Sequence, residues 1–76
     1  MSGFDNMGKP IPNVRRDRAY HWLQDDVGLE REKAWNMVQL VSNHLERDHP
    51  HDAIDSAFKL GIDLTGAYRL LAILLT

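Results

Sequence analysis

The residues best suited to chemistry lie in a histidine- and aspartate-rich segment near the middle of the chain. Three imidazoles and three carboxylates occur there: His44, Glu46, Asp48, His49, His51 and Asp52. Imidazole nitrogen and carboxylate oxygen are competent zinc ligands, and on a continuous helix His44 and Asp48 would share one face. The segment lacks the paired-histidine spacing of zinc-binding helices, however, and it spans a helix end and a proline.

We therefore expect this segment to be a solvated linker, in which Asp48 and Asp52 cap backbone groups at helix ends. On this interpretation the protein has no metal and no cofactor. Binding of a divalent metal by His44, His49 and His51 is the alternative that the sequence leaves open. Their imidazoles would also make nearby interactions pH-sensitive, because the ordinary pKa of histidine is about 6.5.

Other catalytic patterns are nearly absent from the chain. Cysteine is missing, and of the three serines Ser2 lies in an irregular lead-in while Ser42 and Ser56 fall inside predicted helices with no base in register. The glycines match no phosphate-binding spacing, and Gly8-Lys9 is followed by proline. The sequence therefore predicts that the protein is not an enzyme.

A cluster of arginines is the strongest candidate for nucleic-acid contact. It consists of Arg15, Arg16 and Arg18, and it follows a lead-in that also contains Lys9. Neutralisation of phosphate charges supplies most of the affinity of duplex DNA binding, and a basic arm of this kind could neutralise some of those phosphates. The formal charge of the whole chain is −2, however, and that of the residues after position 18 is −4, which disfavours DNA as the partner.

Length and composition indicate one small domain. The chain has 76 residues, of which 43% are apolar and 26% charged. A domain of this size buries only about 60% of the surface of its unfolded chain, so association with another chain would add stability. The apolar run at residues 70–75 is too short to cross a bilayer and no leader pattern is visible, so we expect a cytoplasmic protein without membrane contact.

The periodicity of apolar residues predicts an all-α fold with four helices. They are expected at residues 14–27, capped by Asn13, and at 29–47, 50–60 and 64–75. Gly28, Pro50 and Gly61 separate the helices, and Asp63 is a suitable N-cap for the last. The second helix has an apolar stripe of Ala34, Met37, Val38, Val41 and Leu45, and the third has one of Ala53, Ile54, Ala57, Phe58 and Leu60.

These elements predict a compact four-helix domain built from two helix-turn-helix hairpins. A shift of 33 residues superimposes the glycine turns Gly28 and Gly61 and the alanines Ala34 and Ala67, although shared periodicity alone could produce this match. Residues 1–13, rich in glycine and proline, are expected to be a flexible arm, and residues 14–76 the helical domain.

The fourth helix is apolar around most of its circumference, which is typical of a helix buried on several sides. This excess of apolar surface predicts a non-enzymatic protein-protein interaction module, either a homodimer or a subunit docking on a larger complex. The expected interface residues are Tyr68, Leu70, Ile73, Leu74, Trp35 and Trp22. Tryptophan and tyrosine are included because they are enriched among residues that dominate binding energy.

Two other functions are carried as alternatives. The spacing of Ala57, Gly61 and Ala67 matches a small helix-turn-helix DNA-binding regulator, although the following helix offers few basic side chains. The acidic run that includes Asp25, Asp26 and Glu30 suits an inhibitor encoded by a mobile element, binding a protein through its acidic surface.

Overall fold

The computed structural model describes residues 9–76, and this part of the chain contains four α-helices and no strand. The helices are α1 (Asn13–Trp22), α2 (Arg31–Glu46), α3 (Pro50–Lys59) and α4 (Leu64–Leu75), and a π-helical turn (Leu23–Val27) extends α1. The predicted all-α class is confirmed. Most of the predicted flexible arm, residues 1–8, lies outside the described residues.

Helix α1 begins at Asn13, one residue earlier than predicted. Asn13 is the first helical residue, and Pro12 occupies the N-cap position with extended backbone and no capping side chain. The carbonyl of Pro12 accepts hydrogen bonds from the N–H groups of Arg15 and Arg16 at 3.0 and 3.1 Å. The prediction of Asn13 as the cap is therefore wrong, because the proline already provides the extended φ and ψ that a cap requires.

The end of the first helical segment is set by Gly28, as predicted. Its φ of +88° is left-handed, a conformation that glycine adopts without steric cost. The N–H groups of Gly28 and Leu29 both donate to the carbonyl of Leu23, at 2.9 and 3.0 Å, so the last turn is wider than an α-helical one. Leu23 itself is fully buried.

Helix α2 supplies the largest share of the core. Its predicted apolar stripe is confirmed, since all five residues are fully buried: Ala34, Met37, Val38, Val41 and Leu45. In α3 only the alanines of the predicted stripe, Ala53 and Ala57, are fully buried, whereas Phe58 is 54% exposed. The stripe of α3 is therefore narrower than its sequence suggests.

Helices α3 and α4 form a hairpin whose turn chemistry follows the sequence. Pro50 is the first residue of α3, and Gly61 takes the expected positive φ, +118°. Asp63 caps α4, because its Oδ1 accepts a hydrogen bond from the N–H of Gly66 at 2.7 Å. The predicted bounds of this helix, 64–75, agree with the structure.

The four helices form a ring around one core. Helix α2 packs most extensively on α3, and α4 returns along the other side to contact α1. Ile11, which precedes α1, is only 5% exposed and belongs to the core. The prediction that the flexible arm extends to residue 13 is therefore wrong at Ile11, since burial of its apolar side chain holds this part of the chain against the domain.

Candidate functional site

Two residues of the predicted interface on α4 belong to the protein's own core. Leu70 and Leu74 have no exposed surface, and Leu71 is 8% exposed. Ile73 is partly buried and packs against the same cluster. Leu70 and Leu74 are therefore corrected from interface to core residues, because α1 and α3 cover the face of α4 on which they lie.

The exposed apolar side chains of the α3–α4 hairpin are different ones. Leu64 is 53% exposed, Tyr68 is 60% exposed and Phe58 is 54% exposed. Leu64 and Tyr68 lie four residues apart on one face of α4, and Phe58 lies in the last turn of α3. We call these three residues the apolar hairpin surface. Of them, sequence reasoning identified only Tyr68.

The two tryptophans occupy different environments. Trp35 is 44% exposed, and its ring meets that of Tyr20 edge-on with the centroids 5.5 Å apart. Trp22 is partly buried and packs against the core. Trp35 therefore has exposed surface available to a partner. Its edge-on contact with Tyr20, a geometry that aromatic pairs prefer, joins α2 to α1.

One member of the arginine cluster is engaged inside the domain. Arg16 donates from Nη2 to Oε2 of Glu46 at 2.8 Å, from Nη1 to Oε1 of Gln39 at 2.7 Å, and from Nε to the carbonyl of Ile11 at 3.2 Å. The N–H of Ile11 also donates to Oε2 of Glu46, at 2.7 Å. We call this set of four hydrogen bonds the Arg16 latch.

The latch changes the interpretation of the arginines. The side chain of Arg16 is 18% exposed, and its guanidinium is already bound to a carboxylate, so it is a structural residue. Arg15 is partly exposed and Arg18 is exposed, and they stay candidates for nucleic-acid contact. The latch could not be predicted from local sequence patterns, because Ile11 and Glu46 are 35 positions apart.

In the histidine-rich segment the structure brings together a different set from the predicted one. Ligand-capable atoms of His44, His49 and Asp52 lie within 4.8 Å of one another. His44 and Asp48 do not share a helix face, since α2 ends at Glu46 and Asp48 has a left-handed φ of +60°. His51 is exposed and is not part of the cluster.

Among the described residues, Ser42, Lys59 and His21 carry groups that catalysis can use, and each of the three is buried or engaged in a surface pair. Ser42 is fully buried in α2 and its Oγ has no hydrogen-bond partner. Lys59 lies 2.9 Å from Asp55 on the surface of α3, and hydrogen bonding with that carboxylate raises the pKa of the lysine. A second exposed pair joins His21 to Asp17 at 3.5 Å in α1. Each pair follows the i,i+4 spacing of helix-surface neighbours.

Comparison of the chain with protein-family models, with curated proteins and with solved structures gives no match in any of the three. Among residues 9–76, every helix is too short or too polar to cross a membrane. The alternatives of a DNA-binding regulator and an acidic inhibitor stay predictions.

Proposed function

We propose that this protein is a non-enzymatic interaction module that forms a homodimer through the apolar hairpin surface. The observation that supports the proposal is the exposure of Phe58, Leu64 and Tyr68, each more than half accessible within a single hairpin. Burying a large apolar side chain contributes about 1.5 to 3 kcal/mol, so three such residues offer a substantial driving force for association.

The charges of this hairpin favour a second copy as the partner. The charged residues from the middle of α3 to the middle of α4 are two acids and two bases: Asp55, Lys59, Asp63 and Arg69. A twofold dimer places the same patch on both sides of the interface, so a patch with net charge would repel itself. A neutral patch with an apolar centre has no such penalty.

Leu64 is the best position at which to test this interface. It is the first residue of α4, where a negative charge is favoured by the helix dipole, so Leu64→Asp should leave the helix intact. The neighbouring Thr65 is exposed in the same turn, and Thr65→Asp is a control of equal charge. Ile73 is less suitable, because it packs against the core and its replacement would also reduce stability.

The measurement is the solution mass, by size-exclusion chromatography with light scattering at two concentrations tenfold apart. The unmodified chain should be a dimer at the higher concentration, and Leu64→Asp combined with Tyr68→Ser should weaken dimerisation by about a hundredfold, as loss of about 3 kcal/mol implies. Thr65→Asp should dimerise normally. A monomer at both concentrations, or a dimer that tolerates the double substitution, would contradict the proposal.

A further inference from the structure

Backbone hydrogen bonds in the turn between α2 and α3 fix the positions of His44 and His49 relative to each other. The N–H of His49 donates to the carbonyl of His44 at 2.8 Å, and the N–H of Asp48 donates to the carbonyl of Leu45 at 3.0 Å. With the left-handed φ of Asp48, this pair of bonds is a Schellman motif, the usual closure of a helix C-terminus. The motif places the backbones of His44 and His49 side by side.

The third member of the cluster comes from the next helix. Pro50 starts α3 immediately after His49, so Asp52 lies in the first turn of α3, three residues from His49. Nδ1 of His49 and Oδ2 of Asp52 are 3.6 Å apart. All three ligand-capable atoms, one from each residue, fall within 4.8 Å of one another.

We propose that His44, His49 and Asp52 bind a divalent transition-metal ion, for which zinc is the best match. Two imidazole nitrogens and one carboxylate oxygen form a donor set that zinc accepts, with water in the fourth position. Magnesium and calcium prefer sites made of oxygen ligands and should bind poorly. This site is separate from the apolar hairpin surface and does not depend on the proposed dimer.

The geometry needs only a small adjustment to hold the ion. Ligand atoms of a tetrahedral zinc site are about 3.3 Å apart, given metal-ligand bonds of about 2.0 to 2.1 Å. The His49–Asp52 separation is already close to this value. The side chains of these two residues are 57% and 64% exposed, so a change of rotamer can close the remaining distance without disturbing the core.

A metal here would tie the end of α2 to the start of α3. His44 lies in the last turn of α2 and Asp52 in the first turn of α3, so a shared ion crosslinks the two helices across their turn. Because the three residues come from α2, the turn and α3, the unfolded chain offers no preformed site, and metal binding should stabilise the folded state.

The test is calorimetric titration of the full, untagged chain with zinc chloride at pH 7.5. The unmodified chain should bind one zinc ion, and His44→Ala, His49→Ala and Asp52→Asn should each weaken binding by about tenfold or more. His51→Ala and Asp55→Asn are the matched controls, since they remove an exposed histidine and an exposed aspartate from the same helix. Both controls should bind zinc as the unmodified chain does.

Thermal unfolding separates a built site from adsorption to surface histidines. Zinc should raise the melting temperature of the unmodified chain and of His51→Ala, but not that of His49→Ala.

Three results would overturn the proposal. They are an absence of binding heat at millimolar zinc, an equal loss of binding in His51→Ala and His49→Ala, and equal affinity for zinc and magnesium. The first would leave His49 and Asp52 as neighbouring surface side chains, and the second would indicate adsorption to exposed histidines. Circular dichroism of each variant checks that helix content is unchanged.

Discussion

Ser42 has a buried hydroxyl group that forms no hydrogen bond to offset its removal from water. It lies in the middle of α2 among the apolar residues of the core, and its hydroxyl has no hydrogen-bond partner. Desolvating an unpaired hydroxyl costs about 1 to 3 kcal/mol, whereas alanine in the same place would bury only a methyl group.

Ser42→Ala should therefore raise the free energy of unfolding by about 1 kcal/mol. Urea unfolding followed by circular dichroism measures the change. Ser56→Ala in α3 is the control, because it makes the same helix-propensity change at a half-buried position. A loss of stability in Ser42→Ala would show that the hydroxyl has a partner, such as a carbonyl in the preceding turn.

At the scale of elements, the start of α4 depends on one carboxylate. Asp63 is the N-cap, and its Oδ1 accepts from the N–H of Gly66 at 2.7 Å. Gly66 leaves space for this contact, since a Cβ at that position would lie 3.1 Å from the same oxygen. The two residues therefore act together to begin the helix.

Asp63→Ala should lower the free energy of unfolding by about 1 kcal/mol, because one N–H at the helix start loses its acceptor. Chemical denaturation is again the measurement. Asp63→Ser keeps an oxygen acceptor and should recover most of the stability. If serine and alanine at this position proved equally destabilising, capping would not be the reason for the aspartate.

The limits of the helices were largely predictable because they depend on neighbours in sequence. Gly28 and Gly61 adopt positive φ, Pro50 opens α3, and Asp63 caps α4, as their residue types predict. Prediction failed at Asn13, where Pro12 takes the cap position. At the end of α2 the left-handed conformation is taken by Asp48, a position that sequence reasoning did not identify.

At the scale of the whole molecule, the Arg16 latch connects the N-terminal segment to the body of the domain. Oε2 of Glu46 accepts from both Arg16 and the backbone of Ile11. Removing this carboxylate leaves Nη2 of Arg16 and the backbone N–H of Ile11 without an acceptor. Both hydrogen bonds depend on the same carboxylate oxygen, so one substitution removes both and their costs in stability are combined.

Glu46→Ala should therefore lower the free energy of unfolding by about 2 kcal/mol, as expected when partly buried donors lose a charged acceptor. Glu46→Gln keeps one acceptor oxygen and should cost less. Both are measured by urea unfolding, and Glu32→Ala, at an exposed position of the same helix, is the control. Equal stability of Glu46→Ala and the unmodified chain would show that the latch is incidental to the fold.

The exposed side of α4 was harder to predict than the limits of the helices. The apolar excess of α4 was the reason for predicting an interface on this helix, and Tyr68 is exposed. However, a helix that is apolar on nearly all sides does not indicate which side its own domain covers. The structure assigns Leu70 and Leu74 to the core and leaves Leu64 exposed, which moves the proposed interface to the hairpin.

The sequence by itself determined the all-α class, the four helices and the apolar stripe of α2, because backbone preferences, caps and periodicity act over only a few residues. Tertiary structure decided what depends on separate elements meeting in space. Ile11 joins Glu46 across 35 positions, and the turn after α2 brings His44 to Asp52. Such contacts form only when helices pack, so one helix's residue pattern does not contain them.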